Sequence, residues 1–496
     1  MRAWLLLLLL VAPAAAEPHG PIRIVSDRDF LAPGSGVTSG SGTAADPFII
    51  EDLEIERDLL SLDDDAAIHI QATEAHVVVR DVSIHERFPL GVRVLEARNV
   101  TLEGLSLNNQ AHGIWIDEAR DVRVDASRVE RTRSVDAFGI AITDSHRVHL
   151  RGVDVVNGVG PGVEASNSRF LRLEGVSVRD HEGGLRLQGS HDVALVSVEA
   201  ANNDGTGIWL RNLTRFEGLG LVAHGQQSDG GTNTGRGILA WNVAGTLRDV
   251  QAIGNDAAGL FLFESNLPVT SGRILENRGV GLQIEASRAE IKDLEIHGNR
   301  QQGVAVFPGP NGGVLVAEAL RIHDNGQTGL YAEGMHRMDL RDLRSELNDG
   351  AGVLLRDGGN LTLQGAVLKA NEVGLQLAGV REGTVQNVEA RENEVGVQVV
   401  DGTGLRFETN RALDNGGDGF DMDGQDLWLE GNEAQGNLGF GIRIRDGANA
   451  TLVGNVVAAN ALGDLSDGVV QREAPVPWML PALLVAALLR VRHQRT

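Results

Sequence analysis

The stretch Asp418-Gly-Phe-Asp421-Met-Asp423-Gly424 carries three carboxylates, and a little over twenty residues later stand Arg443 and Arg445. In an extended chain Asp421 and Asp423 share one face, with α-carbons ~6.6 Å apart. Carboxylates spaced this way serve as acid and base on a glycosidic bond, or hold Ca²⁺. An arginine beside them acts as a lyase base or clamps a uronate carboxylate. The same residues also describe a structural ladder, with each aspartate ~4.8 Å from an arginine along a stack, and the spacing favours this second reading.

A second set is aromatic. Trp209, Trp241, Phe261, Phe263, Phe307 and Tyr331 stand two or four residues after glycines that recur along the chain, and they are six of its 19 aromatic residues. On one exposed face they would bind a partner or the flat faces of sugar rings. The longest interval between those glycines, 30 residues from Gly207 to Gly237, falls in the same region and includes Gln226 to Asn233. Insertions in repeat proteins become loops on one side, often the binding side. This loop either walls a cleft beside the aromatics or folds over them as a satellite core. A third set is imidazole: His85, His297 and His323 each lie six residues before a repeat glycine. His297 and His323 are expected on neighbouring coils, although two histidines alone make a weak metal site.

The elements that position these residues are repeats. Glycine followed by apolar-x-apolar recurs sixteen times from Gly91 to Gly441, mostly every 22 or 23 residues, and a degenerate copy at Ala67-Ile68-His69-Ile70 makes seventeen. Each unit holds a second alternating segment, such as Val100-Thr-Leu102, and alternation marks strands. Asn109, Asn203, Asn233, Asn255, Asn277, Asn299, Asn325, Asn348, Asn415 and Asn437 stand four residues before a repeat glycine, and Asn371 and Asn393 three before. Stacked at one turn, such side chains form an amide ladder. The pattern predicts an all-β, single-stranded right-handed parallel β-helix, a rod roughly 80 Å long. A leucine-rich repeat, with its helix or Leu-x-x-Leu-x-Leu phrase in each unit, fits less well.

The phrase Gly-Ser-Gly-Thr-Ala-Ala-Asp-Pro-Phe-Ile-Ile-Glu (Gly40 to Glu51), followed by these repeats, resembles secreted prokaryotic β-helix proteins of the NosD-like, pectin-lyase-like superfamily. The resemblance covers about residues 21 to 465 and specifies fold more than activity. It implies pectate lyases, polygalacturonases, mannuronan epimerases, a copper-accessory protein of nitrous oxide reductase maturation and surface proteins without assigned activity as comparisons. Asp418-Gly-Phe-Asp421 resembles the Asp-Gly-x-Asp phrase of polygalacturonases and some pectate lyases. Within the repeats the chain lacks a separate Asp-Asp pair, the one aspartate run being Asp63-Asp64-Asp65 before them, and it lacks Gly-His-Gly, Arg-x-Lys and Asp-Pro-His-Asp, which weakens the hydrolase and epimerase readings. For copper, the nearest cluster is Met335-His336-Arg-Met338, expected in a turn. The absence of cysteine and of a Met/His-rich tract disfavours that metal.

Composition narrows the partners. The net charge of −24 opposes binding to phosphate backbones, so nucleic acid is not an expected partner. No cysteine means no disulfide framework and no thiolate chemistry. Arg2, the apolar run from Ala3 to Val11 and Ala14-Ala15-Ala16 read as a signal peptide, residues 1–16. Residues 17–65 read as an N-terminal cap region, 66–465 as the β-helix and 466–474 as a linker. Residues 475–489 read as a membrane anchor or sorting segment, and 490–496 as a basic cytoplasmic tail. Sequons at Asn99, Asn212, Asn360 and Asn449 fall at expected turns. The expectation is an exported, surface-anchored protein that binds polysaccharide or a surface glycoprotein without catalysis. The alternative is a Ca²⁺-assisted polysaccharide lyase on acidic glycans; otherwise no cofactor is implied.

Overall fold

The computed structural model describes residues 16–57, 65–85, 87–134, 136–228, 230, 235–310, 312–466 and 471–472. The expected signal peptide, apart from Ala16, and the expected membrane segment and basic tail lie outside these residues. Among the described residues no helix is long and apolar enough to cross a membrane.

The chain winds as a right-handed parallel β-helix of about 17 coils with repeats of about 23 residues. In one coil His112–Asp117 lies in sheet A, Arg120–Asp125 in sheet B and Arg128–Glu130 in sheet C. Each strand pairs in parallel with its equivalents in the neighbouring coils. His112–Asp117, for example, sits between Leu90–Leu95 and Ile140–Thr143. Alternation decides the facing: Ile114 and Ile116 are fully buried in one continuous apolar core, while Trp115 and Asp117 face outward. The corners turn on single residues in the left-handed region, such as Glu118, Asp121 and Ala126 with φ of 48°, 57° and 46°.

The repeat glycine is required by close approach. A Cβ on Gly281 would lie 2.6 Å from the carbonyl oxygen of Gly303 and 2.7 Å from Nδ2 of Asn299. That asparagine belongs to a buried ladder. The backbone N–H of Asn277 donates to Oδ1 of Asn299 at 3.1 Å, and Nδ2 of Asn277 donates to the same oxygen at 2.9 Å and to the carbonyl of Ala252 at 3.0 Å. Asn299 repeats this toward Asn325, and the pattern continues to Asn460. Asn371 and Asn393 take part despite their shorter spacing.

Two expected rungs differ. Asn109 takes the corner conformation at φ 70°, and Gln110 fills the interior slot, accepting from the N–H of Phe88 at 2.9 Å. Asn233 lies outside the described residues, and Gln226 holds its rung between Asn203 and Asn255. The inserted residues therefore follow the rung and do not precede it.

Solenoid pairing reaches into the expected cap region. Ile22–Ile24 pairs with sheet A, Phe48–Glu51 with sheet B and Leu53–Ile55 with sheet C. Between the first two, Phe30 stacks on Phe48 with ring centroids 4.5 Å apart, and Val37–Ser39 pairs antiparallel with Phe48–Glu51. This segment covers apolar side chains that an open coil would expose.

At the start of the unbroken amide run stands His181, whose backbone N–H donates to Oδ1 of Asn203 at 3.1 Å. Its ring is almost wholly buried, and burial pushes its pKa down to about 4. The folded state thus disfavours the protonated ring. The stability this neutral ring contributes is complete above the unfolded value of about 6.5, declines as pH falls through the window and is lost by about pH 4. Acid unfolding followed by circular dichroism should show a loss across that window of which about 3 kcal/mol belongs to His181, so that the loss is smaller by that amount in His181→Asn. In denaturant titrations Gly281→Ala and Asn299→Ala should each destabilise by about 2–3 kcal/mol, by steric clash and by an orphaned N–H respectively.

Candidate functional site

Sheet A presents the residues two and four places after each repeat glycine, and both candidate sets lie on it. In the central coils the register aligns Arg186 with Trp209, Trp209 with Leu239, Leu239 with Phe261 and Phe261 with Gln283. The neighbouring column aligns Gln188, Arg211, Trp241, Phe263, Glu285 and Phe307.

The aromatics are only partly on the surface. Trp209, Trp241, Phe263, Phe307 and Tyr331 are half-buried, whereas Phe261 is 8% exposed, which corrects the expectation that it faces solvent. Phe261 packs with Leu239 and Ala258 in a satellite cluster against which Trp209 and Phe263 rest, and the guanidinium of Arg236 lies 4.8 Å from its ring centre. Arg236 closes the insertion, so the described end of that loop does cover one aromatic. Trp241 meets Phe263 edge-on at 5.3 Å, and Phe307 meets Tyr331 at 5.7 Å.

Arginines complete this strip, and reading the aromatics alone missed them. Arg186 lies 4.3 Å from the ring centre of Trp209, and Arg211 lies 4.9 Å from that of Trp241. Their signal is in the sequence, since Arg186 occupies the same repeat position as Trp209 one coil earlier. The arrangement offers half-buried aromatic rings interleaved with guanidinium groups that lie over the two indole faces. Such a surface fits sugar rings that carry carboxylates or other acidic groups.

The second set lies toward the C-terminal end of the same sheet. Asp421 aligns with Arg443 as expected, but the ion pairs cross the register. Arg445 grips Asp421 with two hydrogen bonds, Nε to Oδ1 at 2.8 Å and Nη2 to Oδ2 at 2.5 Å, and Gln398 donates to Oδ2 at 3.3 Å. Arg443 reaches Asp418 at 3.4 Å, and the other oxygen of Asp418 accepts the N–H of Phe440 at 2.7 Å. Burial raises the pKa of Asp421, but the bonds from Arg445 and Gln398 and the charges of Arg445 and Arg443 outweigh it and leave the carboxyl below its ordinary range. A carboxylate held so is a poor proton acceptor and has its oxygens occupied against Ca²⁺. Asp423 is half-buried beside them. Similar ladders without catalytic geometry stand on sheet C, where Arg411 bridges Glu389 and Glu433 at 2.9 Å each.

The remaining candidates separate cleanly. Met335 and Met338 are buried in the core while His336, between them, faces solvent, so they share no site. They begin the strand Met335–Glu346 and do not form the expected turn. Asn99, Asn212 and Asn360 take left-handed corner conformations, and Asn449 is exposed. His297 and His323 are adjacent, with rings stacked at 4.5 Å. His85 belongs to a distant coil, preceding Gly91.

Models of the right-handed β-helix region match residues 33–178, 66–217, 236–382 and 344–470, well over half of the chain. The chain belongs to the right-handed β-helix family. Among solved structures it is similar to a double mutant of the periplasmic alginate epimerase AlgG, at 13% identity and a TM-score of 0.40 over 64% of this chain and 83% of that one. It is also similar to the A-module of the Azotobacter vinelandii mannuronan C-5 epimerase AlgE6, at 15% identity and a TM-score of 0.32 over 91% and 100%. Pectate lyase Pel9A gives 10% identity and a TM-score of 0.30 over 56% and 79%. These likenesses are of fold alone. A comparison with curated proteins gives no match.

In this β-helix the Asp421–Arg445 pair is a structural tie that the sequence pattern shares with catalytic sets. Arg445→Met should destabilise by about 2 kcal/mol, because it leaves a buried carboxylate without its main partner. Asp421 would then be governed by burial and titrate higher. The stability of the native pair is present above the unfolded carboxyl value of about 3.8 and lost as pH falls below it. Acid titration monitored by tryptophan fluorescence should therefore place the unfolding midpoint of Arg445→Met at higher pH than that of the native chain.

Proposed function

We propose that this β-helix is exported, anchored at the cell surface, and binds an acidic polysaccharide or surface glycoprotein along sheet A between Arg186 and Tyr331, without turning it over. The observation that carries this reading is the strip of half-buried aromatics stacked with Arg186 and Arg211. The chain carries −24 overall, and an acidic polymer approaching it meets repulsion except where arginines are concentrated. Here guanidinium groups are fixed over indole faces, so their orientation is established before a ligand arrives. A strip along one face also suits a linear chain, whose sugar units would lie across several coils in succession.

The reading without turnover is supported by the state of the sheet A carboxylates. Asp421 and Asp418 are each occupied by an arginine. Export and anchoring rest on the apolar segments at the two ends of the sequence and on the arginines after the second.

The test is binding of the purified chain to a panel of uronate-containing and neutral polysaccharides, with and without Ca²⁺, with product release followed at the same time. Trp209→Ala combined with Trp241→Ala should weaken binding about tenfold or more, since each stacked aromatic contributes about 0.5–1.5 kcal/mol. Binding should be to acidic polymers, with no unsaturated sugar released. Unchanged affinity in the double variant would overturn the placement of the site, and Ca²⁺-dependent release of unsaturated ends would overturn the non-catalytic reading.

A further inference from the structure

On sheet C, away from the aromatic strip, Ala289–His297 pairs in parallel with Arg321–His323, which aligns Glu295 with Arg321 and His297 with His323. The sequence offers the two histidines; winding adds a carboxylate. One ring nitrogen of each histidine and one carboxylate oxygen of Glu295 lie within 4.8 Å of one another, all on half-buried residues. We propose that Glu295, His297 and His323 form a binding site for a divalent transition-metal ion of the Zn²⁺ type.

The donor chemistry sets the class of ion. Two imidazoles and one carboxylate match the three-ligand set of open zinc sites, with a further position left for water or a ligand group. Imidazole donors do not suit Ca²⁺ or Mg²⁺, which take oxygen.

The surroundings orient the donors. Nδ1 of His323 is 2.6 Å from Oδ2 of Asp324, a bond that places the proton on Nδ1 and the lone pair on Nε2, as in carboxylate–histidine–metal relays. Arg273 donates to Oε2 of Glu295 at 3.0 Å, which holds that carboxylate and leaves Oε1 to bind. The backbone is fixed from within by the amide ladder: Asn299 donates to the carbonyl of His297 at 3.3 Å, and Asn325 to that of His323 at 3.1 Å. The rings of His297 and His323 lie 16° from parallel, so the two histidines already stand side by side. Beside them a notch of about 270 Å³, lined by Glu295, Arg321, His323, Arg344 and Glu346, gives an ion access from solvent. Its two arginines oppose a cation and favour an ion that brings strong nitrogen affinity over one held by charge alone.

The measurement is equilibrium dialysis of the full chain against Zn²⁺ with millimolar Mg²⁺ present, which occupies the general acidic surface. One saturable Zn²⁺ per chain is expected. His297→Gln and His323→Gln should each weaken it at least about tenfold, and Asp324→Asn by about tenfold through the orientation of His323. Saturable Zn²⁺ binding of equal strength in the native chain and the double histidine variant, or no saturable binding in the native chain, overturns the proposal. If the variants do not fold, protection of His297 and His323 by Zn²⁺ from diethyl pyrocarbonate in the unaltered chain decides it, with equal modification in the presence and absence of Zn²⁺ counting against the site.

Discussion

The hydrogen bond from a backbone N–H to the amide oxygen of an asparagine one coil further along governs this molecule. A parallel β-helix must turn its chain three times per coil in a space that excludes water, and a buried N–H without an acceptor costs about 1–3 kcal/mol. Oδ1 of Asn299 accepts from both the backbone N–H and Nδ2 of Asn277, and its Nδ2 donates to the carbonyls of Ile274 and His297 and to Oδ1 of Asn325, so the side chain is fully used. Repetition from Asn203 to Asn460 locks the phase of each of these coils to its neighbours. With the phase locked, an outward residue at a given repeat position stands beside its equivalent in the next coil. Every candidate site here is a consequence of that alignment.

The ladder also explains the glycine column. The amide of Asn299 and the carbonyl of Gly303 come so close to Gly281 that no side chain fits. Glycine and asparagine are therefore one requirement seen at two positions. Because both obey steric and hydrogen-bonding rules, their spacing was legible without coordinates, and so were the fold, the inward and outward alternation and the pairing of His297 with His323. What escaped was lateral. Asn410, Asn432 and Asn455 form a second buried ladder at another corner, and Ser145, Ser168 and Ser190 a third. Both recur at 22 or 23 residues, yet they cover few coils and so leave a weaker trace.

Side-chain reach accounts for the other differences. Register placed Arg443 beside Asp421, and it is there, but a long flexible arginine binds the neighbour that completes a bidentate pair, so Arg445 crosses to Asp421. The burial of Phe261 likewise depends on Ala258 and Arg236, which precede their repeat glycines and fall outside a reading confined to positions two and four. Glu295 stands two residues before His297 on one strand, so alternation puts it on the histidines' face, but its reach to both rings across the coil to Arg321–His323 is a matter of side-chain direction. Strand alternation fixes the face a residue occupies; it does not fix which of three or four neighbours that residue touches.

Of the 44 basic residues only Lys292 and Lys369 are lysine. Coils ~4.8 Å apart set a fixed distance across which an outward cation meets its partners. Guanidinium spans that distance with separate N–H groups, as Arg411 does between Glu389 and Glu433, and its flat face also lies over an indole, as Arg186 does on Trp209. An ammonium group is a point charge that does neither as well. The geometry of the stack thus favours arginine wherever columns of charge or aromatics must be tied together. The same kind of arginine that ties the acidic rod together at Asp421 lies, where the neighbouring coil carries tryptophan in place of aspartate, over an indole face in the proposed binding strip. On this fold an ion-pair ladder and an arginine–aromatic stack differ by what stands one coil away.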